Sequence, residues 1–138
     1  MELKKNSVEL ASVPDILNAI SNDKAFLLFK TIALANAGNM SVSKLELTRK
    51  QYYSIMSGLI KAGLVKRKNR KYFLTALGKI VYCAQLITEN ALNNYWKLKA
   101  IDSLEMSDEI SKEELTKLAD TLIENKQIKE FLATKECS

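Results

Sequence analysis

Between Thr48 and Thr75, the run TRKQYYSIMSGLIKAGLVKRKNRKYFLT changes its hydrophobic period from that of a helix to that of a strand. At about 100° per residue, Tyr52, Ile55, Met56, Leu59 and Ile60 share one side of a helix and must face a core. Lys50, Tyr53, Ser54, Ser57 and Lys61 fall on or near the other side, so the outer face is short, polar or cationic. Thr48 is placed to cap this helix, and Gly63 to end it in a left-handed conformation. Beyond Gly63, Leu64-Val65-Lys66-Arg67 and Lys71-Tyr72-Phe73-Leu74 read as two strands joined by Lys68-Asn69-Arg70, where Asn tolerates positive φ. A hairpin this small is marginal alone and must lay its apolar side on the preceding helices. One Pro and four Gly in 138 residues leave too few turn formers for an all-β sandwich. The expected class is mainly α with a small β-hairpin.

Upstream, residues 1–12 carry no period and are expected to form a flexible N-terminus. Pro14 and Asp15 suit a helix start ahead of Ile16, Leu17 and Ile20. Ser21 or Asn22 can cap a second helix from Ala25 to Ala35, in which Phe26, Leu28, Phe29, Ile32 and Ala33 cover more than half the circumference. That breadth makes it a central core element. Met40 and Val42 read as a very short strand, followed by a brief helix from Lys44 to Leu47 capped by Ser43 or Ser41. Gly58, on the outer side of the 48–62 helix, costs about 1 kcal/mol of helix propensity relative to Ala. A close backbone approach and simple surface tolerance explain it equally well.

Downstream of Thr75 no breaker interrupts a helical pattern from about Ala76 to Leu104, which spans roughly 43 Å. Ile80, Val81, Ala84, Ile87, Ala91, Tyr95, Leu98 and Ile101 form an apolar stripe, widened by Leu92 and Trp96. A stripe projecting from a small domain needs cover, and a homodimer through residues 76–104 is expected to supply it. The alternative is cover from the chain's own last helices. Those are expected from Lys112 to Glu124, behind the capping box Ser111-Lys112-Glu113-Glu114, and as a final turn or two holding Ile128, Phe131 and Leu132.

Charge is concentrated where the period changes. Residues 41–82 hold ten Lys or Arg against the single acid Glu46, a net charge of +9. Residues 1–40 balance four cations with four acids, and residues 83–138 set seven Lys against eleven acids. A localised positive field of this kind fits a polyanion, although a solvated lysine-rich face has the same composition. Catalytic chemistry is thin. The chain has no His, no Gly-rich phosphate loop, and no Ser or Cys in a strand-turn-helix elbow, so no enzyme activity, cofactor or metal is expected. Cys83 and Cys137 show no CxxC spacing, and Cys83 reads as a small hydrophobe more readily than as a redox sensor. MELKKNSVEL lacks the apolar centre of a signal peptide and no run is long enough to span a bilayer, so a cytoplasmic location without membrane contact is expected.

The succession of an αα unit, a helix ending in LIKAGLVKR, a basic turn and YFLTALGK resembles the winged helix-turn-helix domain, specifically that of small archaeal winged-helix transcriptional regulators. The resemblance implies a DNA-binding domain over residues 13–78, and a long helix plus C-terminal helices over 79–138 for dimerisation. It makes residues 48–62 the recognition helix in the major groove and 64–75 a basic wing on phosphates or the minor groove. Arg49, Lys50, Gln51, Tyr53, Ser54 and Ser57 become the implied base and backbone contacts, with Lys68, Asn69 and Arg70 at the wing tip. Ser43, Lys44, Thr48, Lys61, Lys66, Arg67 and Lys71 complete the candidate surface. The expected partner is double-stranded DNA, and a small-molecule effector is left unspecified. Two other readings stay open. One is a winged-helix adaptor that binds an acidic protein, and the other an RNA or chromatin-architecture binder that stacks Tyr52, Tyr53 and Tyr72 on bases.

Overall fold

Short polar side chains start the helices of this chain by taking up backbone N–H groups that have no partner inside a helix. The computed structural model describes residues 10–35, 45–107 and 109–133. Ser12 Oγ accepts from the Asp15 N–H at 3.2 Å and Asp15 Oδ2 accepts from the Ser12 N–H at 3.0 Å, closing a capping box at the head of α1 (Val13–Ala19). The Ser12 N–H above all, and the Ser12 hydroxyl after it, hold the Asp15 carboxyl below its ordinary pKa by hydrogen bonding to its charged form. Asn22 Oδ1 caps α2 (Asp23–Leu34) through the Ala25 N–H at 2.8 Å. Ser41, Ser43, Lys44 and the strand expected at Met40–Val42 lie outside the described residues. The brief helix expected to reach Leu47 is not continued there: Glu46 has φ 51°, a left-handed conformation that stops a right-handed helix.

Seven helices and one hairpin occupy the described residues, so the chain is mainly helical. They divide into two compact units, Met1–Cys83 and Ala84–Ser138. In the first, Leu28 and Phe29 of α2 meet Met56 and Leu59 of α3 (Arg49–Lys61), with Leu64, Val65 and Leu74 of the hairpin closing the cluster. Each such side chain contributes about 1.5–3 kcal/mol by leaving water. Tyr82 stands edge-on to Phe29, with ring centroids 6.1 Å apart. Ile60, expected in the core, is instead 43% exposed, because α3 buries only a narrow stripe centred on Met56 and Leu59.

The turn from α3 into the hairpin is the Schellman ending expected of Gly63. Its φ is 81°, the Leu64 N–H donates to Leu59 O and the Gly63 N–H to Ile60 O, each at 3.0 Å. Strands β1 (Val65–Lys68) and β2 (Lys71–Leu74) pair antiparallel, with Val65 opposite Leu74 and Lys68 opposite Lys71. Thr75 then ties the exit of the hairpin to its entry. Its N–H donates to Leu64 O at 3.0 Å, its hydroxyl donates to Gly63 O, and the same oxygen accepts from the Gly78 N–H at 2.9 Å to cap α4 (Ala76–Asn93).

A single helix over 76–104 does not form. The pattern breaks at Asn94, whose φ and ψ are −109° and 22°, leaving α4 and a separate α5 (Tyr95–Met106). The cause is local. Asn94 Nδ2 donates to Asn90 O at 2.8 Å, taking the acceptor that a continuous helix would give to the Asn94 N–H, which donates to Ala91 O instead. Within this unit Ile101 packs with Ala119 of α6 (Lys112–Leu122), with Ile123 between helices, and with Ile128 of α7 (Lys126–Ala133), and Ala91 and Leu98 border the cluster. The chain's own last helices therefore cover that end of the stripe. Ser111 caps α6 through the Glu114 N–H, but no return bond from the Glu114 side chain completes the expected box, and Asn125 starts α7, its Oδ1 accepting from the Ile128 N–H. No described helix is long and apolar enough to cross a membrane.

Candidate nucleic-acid interface

Helix α3 presents its two faces as different chemistries because Met56 and Leu59 anchor one side in the core. Arg49, Lys50, Tyr53, Ser54, Ser57 and Lys61 are all exposed along the other. Thr48 and Gln51, placed in the candidate surface by sequence, have another task. Thr48 Oγ1 accepts from the Gln51 N–H at 3.1 Å and Gln51 Oε1 accepts from the Thr48 N–H at 3.0 Å, a capping box that fixes where α3 begins. They position Arg49 and Lys50 at the positive end of the helix rather than offering free oxygens to a ligand. Gly58 is half-buried on the side of α3 nearest α1, and among the described residues a Cβ added there meets nothing within 4 Å.

The hairpin holds the remaining cations. Lys66, Arg67, Lys68, Arg70 and Lys71 are exposed, and Asn69 and Arg70 form the two-residue loop between Lys68 and Lys71. Both loop residues have positive φ, 53° and 65°, the signature of a type I′ turn whose second position commonly holds Gly. Arg70 carries a side chain in that conformation at a cost of about 1 kcal/mol. Arg70→Gly is therefore expected to stabilise the fold by about 1 kcal/mol in chemical denaturation, while removing one cation from the tip.

The periodicity placed Tyr52 on the core side, and Tyr72 entered the expected surface only in the base-stacking alternative. Tyr72 lies opposite Arg67 in the register, and the Arg67 guanidinium sits over its ring at 5.9 Å. Tyr52 and Tyr53 meet edge to face at 5.3 Å. Burial raises the Tyr52 phenol above its usual pKa, with Tyr72 and Tyr53 adding to the shift and Arg67 opposing it. These four groups join α3 to the hairpin, so the helix face and the cationic strands are held against each other. The turn expected at Lys68-Asn69-Arg70 would set Arg67 opposite Lys71; Lys68 instead belongs to β1, and the two-residue loop Asn69-Arg70 puts Arg67 across from Tyr72.

Among the described residues no group of three or more His, Cys, Asp or Glu could hold a metal ion, and the free Cys83 is exposed rather than buried as expected. What the surface offers is positive charge, three tyrosines and short hydroxyls, groups that can donate to phosphate and to base edges. No family model, no curated protein and no solved structure matches the chain, so its reading rests on its own residues.

Proposed function

We propose that this protein is a sequence-specific double-stranded DNA-binding transcription regulator of the winged helix-turn-helix kind. In this reading α3 enters the major groove and β1–β2 is a wing that lies along phosphates. The observation that carries it is the pairing of the exposed α3 face with a cationic hairpin joined to it through Tyr52, Tyr72 and Arg67. A helix whose outward side chains include Arg49, Lys50, Ser54 and Ser57 brings donors within reach of base edges. The protein-adaptor and RNA readings have no separate observation in their favour.

The test is a duplex-binding titration at several salt concentrations, with a selected site and a random sequence. Arg49→Ala is expected to lose about 1–3 kcal/mol of preference for the selected site while retaining random-duplex binding. Absence of duplex affinity even at low salt removes the proposal. A two-copy assembly belongs to the same reading. It is supported by the exposure of Leu92, Tyr95 and Trp96, the last 77% exposed, on the part of the stripe that α6 and α7 leave open. Sedimentation of the wild type is expected to give twice the chain mass, and Trp96→Lys the single mass.

A further inference from the structure

The first unit contains an open cavity of about 450 Å³ that shares only Lys66 with the proposed duplex surface. Its floor is apolar: Ile32 and Ala33 from the end of α2, Phe73 and Leu74 from β2. Tyr82 of α4 adds a phenol-bearing wall. Two cations border it from different elements, Lys66 on β1 directly opposite Phe73, and Lys79 in the second turn of α4. Among the described residues no carboxylate lines the cavity. The neighbouring sequence explains why: Glu46 is the one acid between residues 41 and 82.

We propose that this cavity binds a small amphiphilic carboxylate, an acid with an apolar body the size of an octyl or naphthyl group. The volume falls in the range of small-molecule sites, which are mostly apolar with a few convergent polar groups. The apolar floor selects against simple inorganic anions, which cannot use it. The two ammonium groups, without a carboxylate partner in the lining, select against neutral hydrophobes, because charge-assisted hydrogen bonds to a carboxylate are stronger than neutral ones. Neither feature alone specifies the class; their presence together in the lining of one cavity does. This inference concerns the cavity and stands whether or not the hairpin binds DNA.

The experiment is two-dimensional NMR of the full chain titrated with sodium octanoate and, separately, with 1-octanol, both below self-association. Octanoate is expected to give saturable shifts at Ile32, Ala33, Phe73 and Tyr82, with octanol roughly tenfold or more weaker. The exposed pair Lys66→Ala/Lys79→Ala is expected to lose roughly tenfold or more in octanoate affinity, and Lys68→Ala at the hairpin tip to lose none. Lys79→Gln, which keeps most of the aliphatic stem on the apolar wall, serves as a second variant whose spectrum reports an intact fold. Equal affinity for octanol, octanoate binding retained by both Lys variants, or shifts confined to Leu92 and Trp96 would each overturn the proposal.

Discussion

Gly78→Ala is expected to lower the melting temperature of the Met1–Cys83 unit by roughly 10–20 °C, followed by circular dichroism. A Cβ at this position falls 2.0 Å from the Leu64 carbonyl oxygen and 3.3 Å from the Leu64 Cα. The obstacle is backbone, so no side-chain rotation relieves it. Overpacking of this kind costs up to about 3 kcal/mol or more. Moving Leu64 O also disturbs the Thr75 N–H bond it accepts, worth about 1 kcal/mol. Against that, Ala gains about 1 kcal/mol of helix propensity over Gly. The net loss of about 3 kcal/mol gives the stated shift for a domain of this size. Gly58→Ala is the matched control. The same substitution in α3 meets open space and is expected to raise the melting temperature by a few degrees. A Gly78→Ala protein that melts with the wild type would mean that α4 does not approach Leu64 this closely.

The second large effect concerns the proposed duplex contact. Replacing Lys68, Arg70 and Lys71 together with Gln is expected to reduce duplex affinity by on the order of 10²–10³ at 0.1 M salt. The salt slope is expected to fall by about two to three units, since each phosphate contact on B-DNA releases close to one counterion. All three side chains are exposed and make no core contact, so thermal stability should stay within about 0.5 kcal/mol of the wild type. Selected and random duplexes should weaken alike, in contrast to Arg49→Ala. An unchanged salt slope would show that the hairpin tip does not touch phosphate.

The Gly78 contact also shows how far local reading reaches. In the sequence, Gly78 was the last residue of a motif, LTALG, that led out of the hairpin. In the structure it is the point where α4 crosses the end of α3, with Thr75 bonded to both Gly63 and Gly78. Spacing alone does not carry this, because residues 63 and 78 are brought together only when the hairpin closes. The α3 faces were legible, since a helix repeats every three to four residues and its apolar members must find a core. Ile60 was the exception: periodicity marks a side, but how wide a strip is covered depends on what packs against it.

The stripe over residues 76–104 failed for a different reason. Its apolar spacing is continuous, and neither Gly nor Pro interrupts it. Asn94 breaks the helix by a side-chain bond to Asn90, a competition between near-equal hydrogen bonds that residue type alone does not decide. Its cover was equally open. Ile101 was apolar on any reading, but whether it met α6 and α7 or a second chain depended on long-range packing.

By itself, the sequence determined the class of the fold, most of the helix starts, the Gly63 turn, and the concentration of charge in residues 41–82. These follow from interactions within a few residues: caps, periodicity, positive φ at Gly, and counts of ionised groups. Tertiary structure alone decided that Gly78 lies on Leu64, and that Tyr52, Tyr72 and Arg67 join α3 to the hairpin. It also decided that Lys66 and Lys79 line one cavity. The first group spans a turn or two of chain, where stereochemistry is enough. The second depends on which elements meet, and that is set by burial summed over the whole core.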